Sequence, residues 1–165
     1  MNGAEALKAL YALQEKDLEI DRLRAEAESL PEELVALQGQ VETLEERLTN
    51  LLERRAELER EYNRHSLDIE DLSAKEKQAE EEQKRAQSAR EQTQYENRIQ
   101  QIKDRIRELL ELSTPIMEAM ENLEAEIAQV EEELAALRPR LQELLEANRA
   151  RVAELEAAIA AKVEE

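Results

Sequence analysis

Cysteine, phenylalanine and tryptophan are absent from this 165-residue chain, which holds only three tyrosines, three prolines and two glycines. Without cysteine there is no disulfide framework and no thiolate metal site. With 2% aromatics there is too little bulk to fill a core several layers deep. The scarcity of Gly and Pro leaves little to build tight turns or strands from. No run approaches eighteen apolar residues, and the N-terminus lacks the basic-then-apolar pattern of a signal peptide. The expectation is a cytoplasmic protein without membrane contact.

What is present is 39% charged residues and an abundance of Ala, Glu, Leu, Arg and Gln, all good helix formers. Acidic disordered chains share this polarity but lack a sustained heptad stripe. Here a seam runs Leu30, Leu34, Leu37, Val41, Leu44, Leu48, Leu51, Arg55, Leu58, Tyr62, His65, Ile69, Leu72, alternating steps of four and three. A second runs Tyr95, Ile99, Ile102, Ile106, Leu109, Ser113, Ile116, Met120, Leu123, Ile127, Val130, Leu134, Leu137, Leu141, Leu144. The first fades through Glu76, Ala79, Gln83 and Ala86 into a polar window, 80–94, across which the phase slips by two residues. Such a slip between two seams predicts a chain reversal. Folding there sets Leu72 opposite Leu109, Leu58 opposite Leu123 and Leu44 opposite Leu137, each pair of numbers adding to 181.

The predicted fold is all-α: a long antiparallel two-helix coiled-coil hairpin, kinked at prolines and spanning residues 1–165 as one unit. Arm one covers about 4–86, the polar tip about 87–94 and arm two about 95–163. Each arm is then roughly 120 Å long at ~1.5 Å per residue. Leu13, Ile20, Leu23 and Ala27 precede the first seam in phase. Ser29 and Glu32 spell a capping box around Pro31, yet the phase crosses Pro31, so a kink or short interruption is expected there. Pro115 and Pro139 also sit in phase, and a four-residue stutter falls between Asn148 and Val152. Arm two ends too early to cover Leu7, Leu10, Tyr11 and Leu13, so another chain, or a C-terminal part lying past Glu165, is expected to meet them.

No residue set reads as a catalytic site, and the expectation is no enzyme. His65, the only histidine, lies on the seam opposite Ile116 with no triad and no acidic neighbour placed by the pattern. It reads as a partly buried spacer, the sharper alternative being a pH-sensitive hinge. Arg55, snorkelling outward along Ile127, joins Tyr62, His65, Ser113 and Pro115 in a soft mid-arm zone, a candidate hinge. The paired carboxylates lie on helix faces without an enclosing pocket, and Glu131, Glu132 and Glu133 read as a solvated face, so no metal or cofactor is expected in this chain.

Charge is distributed unevenly. The net charge of −18 opposes non-specific binding to nucleic acid or anionic membranes over the whole surface. Yet residues 84–107 carry seven bases against three acids, and 108–137 carry nine glutamates and no base. The candidate partner-docking tip is therefore Lys84, Arg85, Arg90, Tyr95, Arg98, Lys103, Arg105 and Arg107. The bland alternative is solubilising charge; the sharp one is docking to an acidic protein surface or a phosphate backbone. Only Tyr95 offers a stacking face, which argues against sequence-specific readout.

The run LYALQEKDLEIDRL at 10–23, the Leu30-Pro31 step and the polar tip at 87–99 resemble a bacterial family of coiled-coil hairpin proteins ending in a four-cysteine zinc ribbon. Members often carry Glu-Tyr just after the tip, where this chain has Gln94-Tyr95. The run 106–120 resembles a stretch where the family is richer in Glu and Asp and lacks the proline found here at Pro115. The resemblance implies a non-enzymatic adaptor with chaperone-like or transcription- and secretion-linked roles, its ribbon associated with nucleic-acid binding. Both cysteine pairs are lacking here, so zinc is carried over to no residue, and the ribbon is expected beyond Glu165. The functional expectation is a protein-interaction adaptor or chaperone-like rod, monomer or homodimer, whose partner is a protein. The alternatives are nucleic-acid binding through the basic tip, and a structural scaffold built as a parallel homodimer of unbroken helices.

Overall fold

A computed structural model describes residues 2–164. They form three helices and, among the described residues, no strand: α1 (Gly3–Glu28), α2 (Glu32–Lys84) and α3 (Ala89–Glu164). The all-α class is as the composition requires, and α2 and α3, with only residues 85–88 between them, fit a helical hairpin.

α1 and α3 start where a side chain accepts from a free amide, and α2 starts just after a proline. Asn2 caps α1, its Oδ1 accepting from the Glu5 amide at 2.9 Å, and Glu5 adds an acid to the positive end of the helix dipole. α2 starts directly after Pro31, whose carbonyl accepts from the Val35 amide and whose missing N–H costs nothing in a first turn. The same proline explains the break. A residue before proline is pushed out of helical geometry, and the chain is non-helical over 29–31. Ser29 does not take the capping-box role that its spacing from Glu32 suggests. Its hydroxyl donates backward to the Glu26 carbonyl at 3.0 Å, closing α1 instead of opening α2. Leu30, expected on the seam, is 53% exposed, because the chain leaves helical geometry over 29–31 and with it the stripe.

α3 is helical without interruption through Pro115 and Pro139. A helix-interior proline forfeits a hydrogen bond and costs about 3 kcal/mol, so packing of the flanking seam must outweigh that. The flanks are well anchored: Leu109, Ser113 and Ile116 are buried around Pro115, and Leu134 precedes Pro139.

The described residues fall into two compact units. The first joins the chain up to Glu45 with the chain from Glu132 onward. Its core holds Ile20, Leu34, Val41 and Leu134, the last with 0% exposure. Leu37, Leu44, Leu137, Leu141, Leu144, Asn148 and Val152 are half-buried beside them. Glu19 pairs with Lys162 at 2.9 Å, Glu33 with Arg140 at 2.8 Å and Glu45 with Arg138 at 3.5 Å, so partner numbers fall along α3 as they rise from α1 into α2. The second unit is Glu46–Glu131. Leu58, Ala79, Ile99, Ile102, Leu109, Ile116, Ile127 and Val130 are its buried apolar residues. Arg55–Glu124 and Glu76–Lys103 pair across it in the same opposed order. In both units the buried side chains recur at steps of three and four, the narrow stripe that a helix with one apolar face presents.

Candidate partner-docking surface

The turn between α2 and α3, residues 85–88, is polar except for Ala86. The last turn of α2 tightens, with the Arg85 amide donating to the Glu82 carbonyl and the Ala86 amide to the Gln83 carbonyl. The Gln92 side chain then reaches back from α3 and donates to the Gln83 carbonyl at 3.0 Å. Ser88 opens α3: its Oγ accepts from the Glu91 amide at 3.1 Å, while the Glu91 carboxylate accepts from the Gln87 amide at 3.2 Å. This is close to a reciprocal capping box, and its Ser-x-x-Glu spacing was legible at Ser88–Glu91 although the turn holds neither Gly nor Pro. No non-glycine residue among those described takes a positive φ, so the reversal needs no left-handed residue. The helix resumes at Ala89, inside the window expected to be the tip.

Around this turn the eight singled-out residues divide by partner. Arg105 pairs with Glu108, Arg107 with Asp104, and Lys103 with Glu76. Lys84, Arg85, Arg90 and Arg98 are exposed and take no ion-pair partner among the described residues. Tyr95 is half-buried on the stripe, which removes much of its ring from any stacking role. Of the eight, the bases without an ion-pair partner are thus those at the end of α2, in the turn and in the first three turns of α3. Further along α3 the glutamates expected to form a solvated face are exposed, Glu131, Glu132 and Glu133 among them.

The five residues of the candidate hinge all lie in the second unit. Arg55 does not merely lay its stem along the stripe. Its Nη2 and Nε both donate to one Glu124 oxygen, at 2.8 and 3.2 Å, and Nη1 lies 3.6 Å from Glu59. The Glu124 hydrogen bond raises the guanidinium pKa above its ordinary value. His65 has an acidic neighbour that the seam pattern did not supply: Glu61, one turn back, lies 3.9 Å from Nε2. The imidazole side chain is only 17% exposed, and its buried Nδ1 has no hydrogen-bond partner. Ser113 is buried, its hydroxyl donating to the Leu109 carbonyl at 2.8 Å, and Thr114 repeats this toward Leu110. Tyr62 is half-buried and Pro115 exposed.

Sequence reasoning missed one built polar cluster, at the α1–α2 break. Arg151 donates from Nη1 to the Glu26 carbonyl at 2.8 Å and from Nη2 to the Ser29 carbonyl at 2.7 Å, and Asn148 holds the same Nη2 at 2.9 Å. A guanidinium there donates to carbonyls at and just past the end of α1, the Glu26 one shared with the Ser29 hydroxyl. The signal available beforehand was the stutter, which places Asn148 and Arg151 where the seam loses its apolar residues.

Shallow grooves run over the exposed helix surface, among them one lined by Ala9, Leu13, Lys16, Glu19 and Lys162 and one by Leu7, Leu10, Tyr11 and Gln14. Among the described residues no group of three or more His, Asp or Glu side chains is placed to hold a metal ion. None of the helices is long and apolar enough to cross a membrane. Compared with protein-family models, curated proteins and solved structures, the chain finds no match in any of the three.

Proposed function

We propose that this protein is a non-enzymatic adaptor or chaperone-like rod, whose two arms zip as an antiparallel coiled coil and whose turn docks a protein partner. The observation that carries this reading is the set of unpaired cations Lys84, Arg85, Arg90 and Arg98 around one turn of a chain with net charge −18. Cations without internal partners attract an acidic surface. The nine glutamates of 108–137 repel one that approaches elsewhere, which sets orientation as well as rate. Knobs-into-holes packing is supported by burial that recurs at heptad spacing, and kinks at Pro31, Pro115 and Pro139 are part of the reading. The cytoplasm is the proposed compartment. Kinship with the zinc-ribbon hairpin proteins rests on 10–23 and the tip, and no residue here would hold the metal.

Two measurements test the reading. Spin labels at Leu44 and Leu137, and separately at Leu72 and Leu109, should give short distances within one molecule when diluted with unlabelled protein. Long distances would remove the antiparallel arms and favour the parallel scaffold. Reversing Lys84, Arg85 and Arg90 to Glu should then abolish capture of the partner while circular dichroism stays unchanged. The same cations suit a phosphate backbone, which is the second reading. It requires affinity for a single-stranded or duplex oligonucleotide that falls steeply with salt, by roughly one power of salt concentration per phosphate contacted. An oligonucleotide affinity that ignores salt, or none at all, eliminates it.

A further inference from the structure

α1 carries two apolar ridges on opposite sides, and only one of them is used. Ile20, Leu23 and Ala27 are buried or half-buried in the first unit. The other ridge is Leu7, Tyr11, Gln14 and Leu18, with Leu10 beside it. Leu7 is 68% exposed, Tyr11 64% and Leu18 69%. On a helix of 3.6 residues per turn the steps four, three, four keep these residues in line, facing away from Ile20. Leu7, Leu10, Tyr11 and Gln14 line a shallow groove along this side. Large apolar side chains in such a row, on a surface otherwise charged, mark a docking face.

We propose that a second copy of this chain covers this face, the two α1 helices packing antiparallel about a two-fold axis near residues 12 and 13. The spacing four, three, four reads the same in both directions, so an antiparallel copy matches its own ridge. Leu7 then meets Leu18 of the copy, and Tyr11 meets Gln14, each contact occurring twice. The flanking charges choose the same arrangement. In this register Lys8 lies on the same flank as Glu15 of the copy, about 3 Å along the axis from level, again twice. Neither Lys8 nor Glu15 takes an ion-pair partner among the described residues. Overall charge does not forbid the contact locally. Residues 2–24 hold four bases and five acids, a nearly neutral patch in a chain of net −18. A parallel pairing would instead stack Gln14 on Gln14 and leave Lys8 facing no acid in register. One helix face of this length is a small interface, so the dimer forms in the micromolar range or weaker.

Sedimentation of the full chain should show a reversible monomer–dimer equilibrium below about 500 µM, the weak end for so small an interface. Lys8→Glu should weaken the dimer about tenfold, since it turns two attractive pairs repulsive, and adding Glu15→Lys should restore it. Both positions are exposed, so an unchanged helical spectrum keeps the result interpretable. The chain has no cysteine of its own, which permits a directional test. Leu7→Cys and Leu18→Cys chains, mixed under mild oxidation, should join to each other. Each alone should join poorly, because identical positions lie about 16 Å apart along antiparallel helices at ~1.5 Å per residue. A monomer throughout that concentration range, failure of the charge swap to rescue, or preferential joining of Leu7→Cys to itself overturns the proposal. A monomer would leave the face to a different protein.

Discussion

Single side chains in this protein count for very different amounts depending on the side of the helix they occupy. Leu134 is fully enclosed, and trimming it to Ala removes buried methyl groups and leaves a void that two packed helices cannot close. Leu134→Ala should cost about 2–5 kcal/mol by chemical denaturation. Leu110, one of the exposed leucines, should change by less than about 0.5 kcal/mol on the same substitution. Equal losses at the two sites would contradict the burial pattern. Gly39 offers the opposite case. It lies inside α2, where a methyl in place of its hydrogen would meet nothing within 4 Å. Gly39→Ala should therefore stabilise the protein by about 0.5–1 kcal/mol, through backbone entropy alone. Leu30 shows where residue-level reading fails. Its spacing places it on the seam, but the proline that follows fixes its backbone, and backbone geometry decides where a side chain points.

At the scale of elements, helix ends are where tertiary contacts matter most. The end of α1 is sealed by the Ser29 amide and hydroxyl from its own chain and by Arg151 from α3. Arg151→Ala should raise amide exchange at Glu28 and Ser29 by an order of magnitude or more while the centre of α2 is unaffected, a change of about 1–2 kcal/mol in local opening. Uniform acceleration along the chain would mean that Arg151 acts globally instead. Further along α1, Lys162 donates to Glu19 and holds its carboxyl below the ordinary 4.5. A lowered acid contributes stability above its unfolded pKa and loses that contribution as pH falls through its folded one. The destabilisation caused by Lys162→Gln should therefore be measurable at pH 7 and vanish well below pH 4.5. A penalty that persists in acid would point to lost packing of the lysine stem.

For the molecule as a whole, excess charge outweighs ion pairing. The chain holds 41 acids against 23 bases, and the cross-helix pairs Arg55–Glu124, Arg140–Glu33 and Arg138–Glu45 are solvent-exposed contacts of small individual worth. Salt screens both, but the unbalanced carboxylates repel throughout the chain. The thermal midpoint should rise by a few degrees between about 20 mM and 500 mM sodium chloride, a range over which the screening length shrinks several-fold. A falling midpoint would show that the pairs hold the arms together. Much of the architecture was legible beforehand, because the heptad spacing of Leu34, Val41, Leu58, Leu109 and Leu134 is a local property of the chain. The candidate docking surface was legible only as a cluster of bases. Arg105 and Arg107 find partners one turn away on their own helix and Lys103 finds Glu76 on the facing one, so of the cluster Lys84, Arg85, Arg90 and Arg98 stay without an ion pair.

The sequence by itself determined helix and the stripe each helix buries, since periodicity and composition act over a few residues at a time. It also marked three prolines as weak points of a helix, whereas which of them interrupts it, Pro31 and not Pro115 or Pro139, was decided by the packing of the flanking seam. Tertiary structure alone decided that Arg151 caps α1 from 122 residues away, that Glu124 takes the Arg55 fork, and that Lys103 pairs with Glu76. Those outcomes depend on distances between residues remote in the chain, and such distances exist only once the helices have come together.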